Sequence, residues 1–208
     1  VEETKNILPR DLPLIGFCGS PWTLAAYSIE GGGSKNFSKT KNFMADHPDA
    51  LEELLEILTN ACYEYLKQQV LSGVNALQIF DSWADLLLIE ELDKFSLRYT
   101  HKLVQLLKQD SVTSGTPIIL FEKAPKKRIV DIAFDGISCM SLHWQEDIGH
   151  VANDLKNRFS IQGNLNPKIL LGSDELIWRE TRKICTQMND FPGFIFNLGH
   201  GITPDINP

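Results

Sequence analysis

Six short apolar runs in this sequence each lead into residues whose side chains can do chemistry. Leu14 to Phe17 runs into Cys18-Gly19-Ser20, Ala76 to Phe80 into Asp81-Ser82, and Pro117 to Phe121 into Glu122-Lys123. The others end at His143, at Asn164, and at Asn197 with His200 nearby. Carboxylates, an amine, hydroxyls, imidazoles and a thiol are the groups that bind anions and move protons. They lie far apart in sequence, so only a fold that gathers strand ends can make one site of them. The first run also feeds a glycine-punctuated turn that opens a helix at Pro21, a common seat for an anionic ligand. The pattern is neither GxGxxG nor a P-loop, and for such a pattern alone a tight βα turn is the commoner explanation.

The elements that must position these residues follow from spacing. Pro21 suits a first helical turn, and the three glycines Gly31-Gly32-Gly33 end that helix. Val1 to Leu12 reads as a connection, and residues 34–47 as a loop with a short helix anchored by Phe37, Phe43 and Met44. A helix opens at Pro48 with Asp49, Glu52 and Glu53 near its start. Leu51, Leu54, Leu55, Leu58, Cys62, Tyr65, Leu66 and Val70 recur at steps of three and four, and Gly73 stops it. One long helix is predicted over Leu86 to Lys108, a short one over 126–134, and a strand over Gly136 to Trp144. A helix over Ile148 to Asn157, a strand over Ser160 to Gln162, and a helix N-capped by Ser173 and running to about Met188 follow. The last strand is Phe194 to Phe196. Short, wholly apolar strands alternating with helices require a parallel sheet covered on both faces. An open doubly wound sheet and most of a (β/α)8 barrel both satisfy that pattern.

With 208 residues there is ample core for one large domain, and 23% charged residues is ordinary for a soluble globular protein. Twenty basic against 27 acidic residues, a net charge of −7, argue against a nucleic-acid partner. No apolar run reaches membrane-spanning length, and no cationic leader with an apolar core is visible. Cys18, Cys62, Cys139 and Cys185 have no zinc-like spacing and suit buried free thiols in a reducing, cytoplasmic setting. The chain opens on Val1, as a piece of a longer protein would.

Taken together, the strand-end segments closely resemble the uroporphyrinogen decarboxylase family. The resemblance is carried by residues 13–24 (PLIGFCGSPWTL), residues 27–34 (YSIEGGGS) and residues 77–84 (LQIFDSWA). Residues 162–167 (QGNLNP) and 197–202 (NLGHGI) continue it in the family's order across nearly the whole chain. It implies a single, partial (β/α)8 TIM barrel over 1–208, with about six of eight strands, working as a homodimer without metal or cofactor. It further implies that the acetate side chains of uroporphyrinogen III are decarboxylated to give coproporphyrinogen III in haem biosynthesis. Tyr27, Ser82 and His200 fall on the family's substrate-binding positions, with Tyr27 also catalytic.

Losing carbon dioxide from a pyrrole acetate requires a protonated ring to receive the bond electrons. A carboxylate at the ring NH groups stabilises that charge, and arginines suit the substrate's many carboxylates. The resemblance places an arginine-bearing run, a catalytic aspartate, two further strands and a closing C-terminal helix outside these 208 residues. The isolated chain is therefore expected to be inactive. Within the matched region His143 and Asn166 stand where the family usually has aspartates. A zinc-dependent corrinoid methyltransferase of the same barrel superfamily is the enzymatic alternative, resting on Cys139, His143 and His150. A catalytically incomplete fragment is the other.

Overall fold

The computed structural model describes residues 1–123, 129–155 and 158–207. The start of the helix expected over 126–134 and the last two residues of that expected over 148–157 lie outside the described residues. The chain forms two compact units, Val1–Lys127 with Phe134–Ile137, and Arg128–Ala133 with Ser138–Pro208.

The first unit runs α1 (Glu2–Ile7), β1 (Ile15–Gly19), α2 (Pro21–Glu30), α3 (Ser38–Asp46), α4 (Pro48–Leu71), β2 (Ala76–Asp81), α5 (Ile89–Leu92), α6 (Arg98–Gln109) and β3 (Ile118–Glu122). β1 pairs with β2 and β2 with β3, both parallel, in chain order. Leu51, Leu55 and Leu66 of α4 pack with Leu103 and Leu107 of α6 and Leu77, Ile79 and Ile118 of the sheet to form a fully buried core. α2 ends as its sequence dictates, with Gly31 in the left-handed region (φ 87°) and the Gly31 and Gly32 amides both donating to the Tyr27 carbonyl.

The second unit runs α7 (Ile129–Ile132), β4 (Cys139–Ser141), α8 (Ile148–Leu155), β5 (Ser160–Leu165), α9 (Asp174–Gln187) and β6 (Phe194–Leu198). β4, β5 and β6 are parallel and adjacent in chain order. Ser173 caps α9 by accepting from the Leu176 amide.

Parallel strands joined by helices, adjacent in chain order within each unit, make this an α/β fold of the barrel's repeating type. Three expectations are corrected. The helix predicted over Leu86 to Lys108 is a 3₁₀ turn (Ala84–Leu86), α5, a π-helical segment (Asp93–Leu97) and α6. The connection at the start of the chain contains α1. β4 has three residues where nine were expected, whereas β5 extends to Leu165. The mutual register of those two strands is Cys139 to Ser141 against Ser160 to Gln162.

Candidate active site

In the first unit, side-chain parity separates two faces of the sheet beyond the carboxyl ends of β1 to β3. Leu77, Ile79 and Asp81 share the helix-facing side of β2, and Asp81 is fully buried there. Thr23 Oγ1 donates to Asp81 Oδ1 across 2.9 Å, and Ser96 Oγ of the π-helical segment donates to Asp81 Oδ2. Burial raises the Asp81 pKa from its ordinary value, opposed by the hydrogen bonds from Ser96, Thr23 and Ser20. This carboxylate is a junction that ties α2 and the π turn to the end of β2. Ser20 completes it, accepting from the Thr23 amide at 3.0 Å as the N-cap of α2 and donating its own amide to the Phe80 carbonyl.

The opposite face carries an aromatic ladder across the strands. Phe17 lies edge-on to Phe80, and Phe80 lies against Phe121, each pair with ring centroids 6.0 Å apart. Two residues beyond Phe121, Lys123 still continues the ladder, and the same parity brings it onto this face. The Ser82 amide donates to Thr23 Oγ1 at 3.1 Å, which fixes the turn after β2.

Trp83 then gathers the rest. Its carbonyl accepts from Trp22 Nε1 at 2.9 Å. Its ring lies 4.5 Å from that of Phe37 and 6.0 Å, edge-on, from that of Tyr27. Phe37 is wholly buried with φ 48°, a left-handed backbone that a bulky residue adopts only under constraint. Glu30 supplies part of that constraint, accepting from the Thr40 amide and hydroxyl at 3.1 and 3.2 Å. The triple-glycine loop is thus closed by an aromatic clasp, and Tyr27 stands 37% exposed beside it. Tyr27 and the Ser82–Trp83 turn are brought together within this unit.

Cys18 points to the helix-facing side, where its thiol meets Cys62 of α4. The hydrogen bond to Cys62 and burial raise its pKa well above the ordinary thiol value, which suits a packing role.

In the second unit, His143 follows β4 and is buried, and His200 follows β6 and is exposed. Their ring centroids lie 6.0 Å apart at 86°. Asn164 at the end of β5 holds the turn, donating through Nδ2 to the carbonyls of His143 at 2.9 Å and Glu146 at 2.8 Å. Gly199 is pressed onto the same turn, where a Cβ would sit 2.3 Å from the Trp144 amide nitrogen. The Gly199 carbonyl accepts from that amide at 3.2 Å, and its own amide donates to Leu165 O at 2.8 Å. A glycine is therefore required beside His200 by close approach. Asn166 caps the 3₁₀ turn Pro167–Leu171, accepting from the Lys168 amide at 3.0 Å. Asparagine and aspartate serve equally well at that position, so the departure at Asn166 leaves this local role intact.

A cavity of about 290 Å³ opens near these turns, lined by Trp144, Glu146, Asn166, Glu180, Lys183 and Gln187, and His200 is not among its walls. Burial raises the Glu146 pKa there. For the zinc alternative, Cys139 is buried in β4 and burial pushes its thiol up to about 12, the reverse of what a metal thiolate needs. Among the described residues no group of three or more His, Cys, Asp or Glu side chains is arranged to hold a metal ion. Among them, too, no helix is long and apolar enough to cross a membrane.

Sequence reasoning named Tyr27, Ser82 and His200 but missed Trp83, Phe37 and Asp81 as the groups that hold them, and His143 as the neighbour of His200. For Asp81 the signal was present in the alternation Leu77, Ile79, Asp81. For the ring contacts of Phe37 with Trp83 and of His143 with His200, separated by tens of residues, it was not.

Residues 1–208 match the family described as uroporphyrinogen decarboxylase (URO-D). The chain is 41% identical over 208 residues to the uroporphyrinogen decarboxylase of Vesicomyosocius okutanii, covering all of this chain and 59% of that protein. That of Pseudomonas syringae pv. tomato gives the same identity and coverage. That of Chloroherpeton thalassium is 40% identical, over 99% of this chain and 58% of its own length. The chain spans about three fifths of the length of these curated relatives.

Proposed function

Because the chain belongs to the uroporphyrinogen decarboxylase family, we propose that the full-length protein converts uroporphyrinogen III to coproporphyrinogen III in haem biosynthesis. Each of the four acetate arms loses its carboxyl group in the same sequence of steps. A proton adds to a ring carbon of the pyrrole, and the bond to the carboxylate breaks with its electron pair entering the cationic ring and carbon dioxide leaving. The resulting exocyclic methylene is protonated to a methyl group, and the proton first added to the ring departs to restore the pyrrole.

The observation that carries this proposal is the arrangement around Trp83. Tyr27 is set edge-on to that ring, Ser82 directly precedes Trp83 in the turn after β2, and the sheet of the same unit bears the Phe17–Phe80–Phe121 ladder. An aromatic floor edged by hydroxyls suits a large, flat-sided tetrapyrrole with polar arms. Tyr27 and Ser82 act as substrate-binding hydroxyls, Tyr27 also orienting the groups that stabilise the protonated ring. His200 donates to a substrate carboxylate. The whole of 1–208 belongs to one barrel domain in the full-length protein, which works as a cytoplasmic homodimer.

The test is product chromatography after anaerobic incubation of the full-length protein with uroporphyrinogen III. Coproporphyrinogen is the expected product. Unchanged substrate, with a folded protein, would overturn the assignment.

A further inference from the structure

Lys123 is fixed at the carboxyl end of β3 by an extension of the ladder, its amide donating to the Asp81 carbonyl at 3.0 Å. Parity sends its side chain to the face that bears Phe80 and Phe121. There its ammonium lies 5.9 Å from the centre of the Trp83 ring and 2.6 Å from Asp85 Oδ2. Both side chains of this ion pair are partly open to solvent, Lys123 at 26% and Asp85 at 33%. On the helices, Lys94, Arg98 and Lys102 pair with Glu52 and Glu56, and Lys67 pairs with Asp110.

We propose that Lys123 is a substrate-binding residue that leaves Asp85 to pair with a carboxylate arm of the porphyrinogen, with Trp83 holding its stem in place. This rests on the decarboxylase assignment above and adds a binding partner to that site. An amine on a flexible stem suits the task, because it can follow a carboxylate as a point charge where a guanidinium fork would demand one geometry. Asp85 serves as a placeholder anion. In the empty site it holds the ammonium over the indole, and it competes with the incoming arm. Trp83 also carries the edge of Tyr27, so the Lys123 ammonium, the Trp83 indole and the Tyr27 ring are linked through one side chain.

The test uses steady-state kinetics of the full-length protein with uroporphyrinogen III, comparing Lys123→Met, Lys123→Arg and Asp85→Asn. A charge-assisted hydrogen bond to substrate predicts that Lys123→Met raises KM about ten-fold, with a much smaller change in kcat. Lys123→Arg recovers only part of the loss, because the charge returns on a fork that demands one geometry. Asp85→Asn lowers KM, because the competing anion is gone, and KM of the wild type rises more steeply with salt than that of Lys123→Met. A merely structural ion pair gives a different pattern, in which Lys123→Met and Asp85→Asn impair the enzyme alike and lower its unfolding temperature together. That pattern, or an unchanged KM in Lys123→Met, overturns the inference while leaving the decarboxylase assignment standing. Absence of turnover in the folded wild type overturns both.

Discussion

Thr23 and Asp81, 58 residues apart, are joined by a 2.9 Å hydrogen bond inside the protein, and the same threonine oxygen accepts the Ser82 amide at 3.1 Å. One hydroxyl therefore couples the helix that carries Tyr27 to the strand end that carries Ser82. Thr23→Val keeps the shape but removes both bonds, leaving a buried carboxylate short of a donor and an amide short of an acceptor. The expected loss is about 1–3 kcal/mol of stability, measured by urea unfolding. A loss well below that range would show that neither bond matters to the fold.

Gly199 touches the main chain of Trp144 so closely that no side chain fits between them. Gly199→Ala must displace the loop bearing His200 or the turn after β4, because the contact is backbone against backbone. Overpacking of this kind costs about 1–3 kcal/mol. Thermal unfolding should register it, and the displaced His200 should make the catalytic defect larger than the stability defect alone explains. A variant with native melting temperature and activity would mean that the close approach is easily relieved.

The pH dependence of stability has a defined contributor in Asp110. Its carboxylate accepts from Lys67 at 2.7 Å, from the Tyr63 hydroxyl and from the Val112 amide at 2.7 Å, and these bonds, that from Lys67 first, hold its pKa well below the usual carboxylate range. A depressed folded-state pKa means that the unfolded chain binds the proton more readily. The contribution is therefore complete above the unfolded value of about 4 and is lost as pH falls below it. Asp110→Asn should be less stable at pH 7, and its difference from the wild type should shrink between about pH 5 and pH 2. A constant difference across that range would exclude Asp110 as the source.

The legibility of this fold varied with the length scale of the forces involved. α4 could be read from Leu51, Leu55, Cys62 and Leu66, because a buried stripe imposes its own period on the sequence. β3 could be read because all five of its residues are buried and four are apolar. Gly31 and Ser173 announced helix ends through purely local geometry. The π-helical turn at Asp93–Leu97 was hidden, since Phe95 and Leu97 continue an apolar spacing that a straight helix would also give. What distinguishes that segment is the bond from Ser96 to Asp81, a tertiary contact. The same holds for the site. Residue types marked the strand ends, but the clasp of Phe37 on Trp83 and the meeting of His143 with His200 depend on loops whose paths no local preference specifies.

Tyr27 and His200 allow a direct test of the proposed substrate contacts, each within its own unit. Tyr27→Phe leaves the ring edge-on to Trp83 and removes only the hydroxyl, so packing is preserved while a donor is lost. His200→Asn keeps a hydrogen-bonding side chain in an exposed position and removes the imidazole. Neither change should lower the unfolding temperature appreciably, because neither side chain is part of the buried core. Loss of one preorganised donor at a site of developing charge typically lowers kcat by about a hundred- to a thousand-fold. Both substitutions in the full-length protein should therefore slow turnover far more than they affect stability. If, as proposed, four acetate arms react in succession, a slowed enzyme should release partly decarboxylated porphyrinogens, separable by chromatography according to the number of remaining carboxyl groups. Wild-type rates with no intermediates for Tyr27→Phe would remove its hydroxyl from the chemistry and leave the ring as a packing element. The same result for His200→Asn would assign the loop after β6 a structural role only.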